Sequence, residues 1–374
     1  MAVYRIFPQQ DAFIYSETPT ANAGLDEILE IGGYADISGI GETSRMLVQF
    51  DSTEIADVVT NKIGSNNYSA SLGMYLADAY QIPVNTVIYA YPTYSPTGWD
   101  NGNGKYGDTP LNTSGVSWQY QKAGETNAWP SSSLPAGVTF STTGSKPGGG
   151  AWYTGSGATN LEFTQSNTIK STYDIDMNVT NAVKLWNAGT IGNNGFILKL
   201  SSSLEFNTTS SIRLKYFGAD TNTIYPPYLE FKWNDTVYNI GSLSTLSNSL
   251  ATIKISNNKG EYVDTGKQRF RITAQPKYPV RSFSTTSIYL TNYALPTASY
   301  WGIRDENTEE MVVDFDTTFT KISCDSTGPY FDVYMDGLQP ERYYRILLKT
   351  TLDGSTTVVN DSNNNIFKVV RNGQ

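Results

Sequence analysis

One stretch of this 374-residue chain carries a clear helical period: Val179, Ala182, Val183 and Trp186 recur on one face, with Asn178 at the N-cap position and Gly189 at the C-cap. A helix this short cannot bury its face alone. It is predicted to lie across the end or mouth of a β-sandwich, with Trp186 as a core plug. Around it the sequence reads as strands. Val3 to Phe7, Ala12 to Tyr15, Ile28 to Ile31, Arg45 to Phe50, Ser71 to Leu76 and Val84 to Tyr91 alternate or run apolar between turn clusters. Tyr (26) outnumbers Phe (15) and charged residues make up only 16%, which favours strands and polar turns. An all-β chain follows, with Gly24 expected at positive φ in a loop and one helical turn near Ile55.

The missing residue types limit the chemistry. There is no histidine, which removes the usual general base, the usual metal ligand and every Ser-His or Cys-His arrangement. Cys324 is the sole cysteine, so no intrachain disulfide or thiolate cluster can form, and nothing beside it would lower a thiol pKa. Net charge is −9, and the 26 Lys and Arg do not cluster, which argues against a nucleic-acid partner. No run approaches the ~20 apolar residues of a membrane span, and the N-terminus lacks a signal-peptide core. A soluble chain made without Sec-type export is expected.

Three acidic patterns have the look of sites. Asp174 and Asp176 would share a strand face about 7 Å apart, but Asp176 precedes the helix, where a carboxylate favours the dipole. Asp314 and Asp316 read as the solvent face of a strand. The loop from Trp99 to Asp108 has the acid, amide and glycine content of a calcium loop, yet Gly102 and Gly104 fall where oxygen ligands belong and no bidentate Glu closes it. The sequence therefore predicts no catalytic residue, no metal and no cofactor: not an enzyme.

Residues 93 to 160 are rich in Gly, Ser, Thr, Asn and Pro, and hold Trp99, Trp118, Trp129 and Trp152. Long irregular loops are expected, and such insertions are usually functional or held by a neighbour. Tyr91, Tyr94 and Trp99 either make an aromatic platform for a sugar ring or staple the loops to the sandwich. The shortage of other hydrophobes favours the staple.

The pattern Asp176-x-x-Val179-Thr180-x-x-Val183-x-x-Trp186-x-x-Gly189, then Asn194-Gly195-Phe196 and Pro226-Pro227-Tyr228-Leu229, resembles the DNRLRE family of β-sandwich modules, relatives of carbohydrate-binding jelly rolls. Asp11 to Tyr15 with Asn22-Ala-Gly24, Arg45 to Asp51, Ala70 to Leu76, Gly98-Trp99, Trp118 and Pro147-Gly-Gly149 are similar to that family's earlier segments, so the resemblance covers roughly the first 233 residues. Leu214 to Pro227 and the opening Met1 to Pro8 look most like tailed-bacteriophage virion proteins. The resemblance implies structural roles for Trp186, Gly189, Pro226 and Pro227.

Three segments are expected: a jelly-roll-like β-sandwich over 1–235 with one short helix and the 93–160 insertion, a polar connector over 236–250 with a short helix around Leu243 to Leu250, and a smaller Ig or fibronectin-III-like β-sandwich over 251–374. Its strands are read at 251–256, 268–274, 287–290, 299–304, 310–315, 330–335, 342–350 and 365–370. Leu338-x-Pro340-x-x-Tyr343 resembles a tyrosine corner. The implied role is a non-catalytic virion structural protein in the tail, neck, fibre or capsid surface, assembled in the host cytoplasm with other virion proteins in a homo- or hetero-oligomer. The alternative is a carbohydrate-binding module for a host-surface glycan.

Overall fold

The computed structural model describes residues 2–35, 41–124, 126–141, 147–156, 159–209, 211–279, 291–359 and 364–372. The chain divides into a larger unit, Ile6–Gly64 with Ser69–Glu230, and a smaller one, Met1–Arg5, Ser65–Tyr68 and Phe231–Gln374. Both are built from β-sheets, giving an all-β protein with a jelly-roll-like sandwich followed by a smaller Ig-like one.

The larger unit centres on an eight-stranded sheet in the order Phe163–Thr168, Asn85–Pro92, Phe196–Leu200, Gly41–Gln49, Ile28–Ala35, Ile212–Phe217, Leu76–Tyr80, with Gln10–Tyr15 also paired to Gly41–Gln49. The link from Tyr80 to Asn85 joins the seventh strand of this order to the second. Its five Cα steps reach at most about 18 Å, whereas five spacings across a flat sheet need about 24 Å. The sheet therefore has to curl. Beside it, Tyr68–Met74 pairs antiparallel with Ile175–Asn178, Met74 facing Ile175. Gly73 in that pair is covered by the Tyr228 ring, which a Cβ would meet at 2.1 Å.

The expected helix forms over Thr180–Asn187 and buries Ala182, Val183 and Trp186. Its N-cap is Val179 rather than Asn178, because the chain leaves its strand at Asn178; Asn178 Oδ1 still accepts from Thr180 N (3.1 Å) and Oγ1 (2.7 Å). Ala70 N donates to Thr180 Oγ1 (2.8 Å), tying the helix start to the neighbouring strand. At the other end Gly189 takes φ 65°, with Gly189 N donating to Trp186 O and Thr190 N to Leu185 O. These are the two bonds of a Schellman motif. Trp186 packs on Phe196 with ring centroids 4.7 Å apart. The turn near Ile55 is longer than expected: Ser52–Asp57 is α-helical, capped by Asp51, and runs into a π-helix over Val58–Ile63. Pro226 and Pro227 are buried just ahead of the strand Tyr228–Trp233, where a residue without an N–H costs no ladder bond.

In the smaller unit one sheet has the order Ala251–Ile255, Lys267–Pro276, Gly328–Tyr334, Ser323–Asp325. The other runs Glu261–Val263, Ile366–Val370, Arg342–Leu352, Ser299–Asp305, Met311–Val313, with Ser355–Val359 also paired to Arg342–Leu352. This is the two-sheet arrangement of Ig-type sandwiches. Ala251–Ile255 pairs antiparallel in the first sheet while Glu261–Val263 pairs parallel to Ile366–Val370 in the second, so the opening segment switches sheets. Trp301, Phe331 and Phe270 stack in the core, at 5.1 and 5.4 Å between successive rings. Val3 joins the same core.

Several details differ from expectation. The tyrosine-corner bond belongs to Tyr344, buried, whose hydroxyl donates to Gln339 O (2.8 Å), while Tyr343 points outward and is 48% exposed. Residues 236–250 hold no helix; they are pinned by single bridges, Tyr238 to Cys324 and Thr245 to Ala294. Gly24 does not adopt positive φ; a side chain is excluded there because a Cβ would lie 1.8 Å from Asn101 O. The strand expected over 287–290 lies outside the described residues.

Trp186→Ala should cost about 3–5 kcal/mol through the cavity it opens against Phe196. The midpoint of urea unfolding measures it.

Candidate functional site

Gly41–Gln49 is buried along nearly its whole length, Arg45 included at 1% exposure. A guanidinium without water needs every donor met and a counter-charge. Glu205 supplies the charge: Arg45 Nε donates to its Oε1 (2.7 Å) and Nη2 to its Oε2 (2.9 Å), a bidentate pair. Nη1 donates to Gly149 O, and Nη2 also reaches Ser141 Oγ (3.1 Å). The guanidinium carbon sits 4.9 Å from the Trp118 ring centre and 5.3 Å from that of Trp152. Lys199 completes the cluster, 2.8 Å from Glu205 Oε2 and 5.6 Å from the Trp152 ring. Burial pushes its pKa below the ordinary lysine value; Glu205 opposes this and Arg45 adds to it.

The long loops are thus anchored from inside. Trp99, Trp118, Trp129 and Trp152 share one buried cluster with Ala12, Ile14, Leu47 and Ile197. Their approach to Arg45 is possible because Gly148, Gly149 and Gly150 all take positive φ, and a Cβ on Gly149 would lie 2.6 Å from the Trp118 ring and 2.8 Å from Arg45 Nη1.

The aromatic trio falls in the same region without forming an open platform. Trp99 is 3% exposed and its Nε1 donates to Asn194 O (2.9 Å). Tyr91 is 7% exposed, and its hydroxyl donates to Glu162 Oε2 (2.7 Å). Burial first, and then Glu162, push the Tyr91 pKa up. Tyr94 is half-buried, edge-on to Tyr153. Tyr91 and Trp99 are staples, their ring faces taken up by the core.

The acidic patterns resolve into local structure. Asp174 Oδ1 accepts from Leu76 N (2.8 Å), and Asp176 is an exposed strand residue opposite Gly73 rather than a helix cap. Asp316 lies past the strand Met311–Val313 and accepts from Thr318 N and Phe319 N, closing a turn. Asp100 faces Lys122 at 3.5 Å. Among the described residues no group of three or more His, Cys, Asp or Glu could hold a metal ion. Cys324 is buried in a strand, and burial pushes its thiol up to about 11.

Two features went unnoticed in the sequence. One is Asp11, buried to 1% exposure, with Oδ2 accepting from Ala219 N (2.7 Å). Burial pushes its pKa up to about 7, and Asp220 adds to the effect. The other is a groove over the strands Leu76–Tyr80, Ile212–Phe217 and Ile28–Ala35. A cavity of about 410 Å³ is lined by Tyr34, Asp78, Tyr80, Arg213 and Lys215, and a second of about 160 Å³ by Phe13, Asp26, Glu30, Tyr106, Arg213 and Lys215. The signal was the alternation in Ile212–Phe217, where Ile212, Leu214 and Tyr216 are buried and Arg213 and Lys215 are not.

No family model matches this sequence, and no curated protein matches it at a significant level.

Glu205→Gln leaves two buried cations without a counter-charge and should cost about 3–5 kcal/mol, read from the urea midpoint. For Asp11 the sign follows from linkage. A folded pKa raised from 3.8 to about 7 contributes stability below pH 4 that is lost as pH rises through 7. Asp11→Asn should remove that loss, so the drop in melting temperature between pH 5 and pH 8 shrinks relative to wild type.

Proposed function

We propose that this chain is a non-catalytic structural component of a tailed-bacteriophage virion, working through contacts with neighbouring subunits. The observation that carries the reading is an exposed apolar site on the larger unit. Val84 is 68% exposed and Ile169 65%, held side by side by a hydrogen bond from Ile169 N to Val84 O (3.1 Å). Apolar side chains left in water beside a sheet edge are the composition of an interface core. Both residues adjoin Phe163–Thr168, the strand that ends the order of the large sheet. The similarity of Leu214 to Pro227 and Met1 to Pro8 to virion proteins supplies the context.

In particles purified from a phage that encodes this chain, it should sediment at fixed stoichiometry. The double variant Val84→Glu, Ile169→Glu should melt like wild type yet be missing from particles. Incorporation of the variant at wild-type level would sink the proposal.

A further inference from the structure

We propose that the groove over Arg213 and Lys215 is a binding site for a neutral oligosaccharide, a role that does not depend on the chain's place in an assembly. The site is built by strand register. Tyr80, Arg213 and Gly32 stand in one row across three strands, and Asp78, Lys215 and Glu30 in the next. Gly32 leaves the notch that Arg213 fills, since a Cβ there would press on Arg213 Cγ at 3.3 Å. The guanidinium is then laid over the Tyr34 ring, 4.2 Å from its centre, and Glu30 is oriented by a hydrogen bond from Ser44 Oγ (3.0 Å). Among the described residues neither the Arg213 nor the Lys215 side chain closes an ion pair or a hydrogen bond, so their side-chain donors remain for a ligand.

The chemistry selects the ligand class. In the second row Lys215 stands between the carboxylates of Asp78 and Glu30, each one strand spacing away, about 4.8 Å. A polyanion would meet carboxylates as often as cations, whereas a sugar hydroxyl both donates and accepts and matches the alternation. The walls suit the apolar face of a pyranose: Tyr80 and Tyr106 are 57% and 54% exposed. Tyr106 is held there by packing on Phe13 and Tyr15, at 5.9 and 5.0 Å. Because the two cavities share Arg213 and Lys215, the occupant is a chain of several residues passing over both.

The test is a microarray of neutral and sulfated oligosaccharides, followed by calorimetric titration of the best neutral hexasaccharide. One neutral series should bind saturably, and Tyr80→Ala and Arg213→Gln should each weaken it about tenfold without moving the melting temperature. Tyr94→Ala, outside the groove, should leave binding unchanged. An array silent for neutral chains, binding confined to sulfated chains, or affinity undiminished in both groove variants would overturn the proposal.

Discussion

The larger unit depends on one buried guanidinium. Arg45 sits in the middle of a strand with no access to water, and the cost of dehydrating it, several kcal/mol, is offset only if its donors and its charge are all met at once. Those partners come from far along the chain: Glu205, Gly149 and Ser141, with Trp118 and Trp152 as ring contacts. Loss of Glu205 strands the charge, and loss of Gly149 or Ser141 leaves a buried donor unmet. The arrangement explains how a stretch as polar and glycine-rich as 93–160 stays on the sheet with so few aliphatic residues. The loops need little hydrophobic core of their own because four indoles and one ion cluster do that work.

Curvature of the large sheet is the second constraint, and it is tied to the first. The short connection from Tyr80 to Asn85 can close only over a curled sheet, and curling brings inward-pointing side chains together at a radius where bulky groups must interlock. Glycine allows it at chosen points. Gly33 would place a Cβ 2.0 Å from Leu204 O, and Gly41 one 2.0 Å from Phe206 O, so the backbone of the 204–206 segment lies directly on the sheet.

The fold class was legible because its signals are local. Alternation placed most strands within a few residues, and the period of Val179 to Trp186 gave the helix and its Gly189 stop. Short strands such as Glu261–Val263 and Ser323–Asp325 escaped notice, since three residues carry no period. The tyrosine corner was displaced by one because two tyrosines are adjacent, and only packing decides which enters the core. For the site, the sequence left platform and staple both open for Tyr91 and Trp99, whose burial only packing decides, and it could not show that Asp78, Lys215 and Glu30 stand in a row. They come from three strands distant in the chain, and register between distant strands is a tertiary property.

Arg45 and Arg213 show how burial alone assigns a role. Both guanidiniums lie on aromatic rings, and both are carried by strands of the same sheet. Arg45 is sealed, its charge consumed by Glu205, and in a low-dielectric site that interaction is strong enough to define structure. Arg213 is half-exposed and lies over the Tyr34 ring. Water weakens any charge interaction it makes, so it contributes little to stability, but its donors stay available. A substitution at Arg45 therefore registers in folding, whereas one at Arg213 registers in what the folded protein can hold.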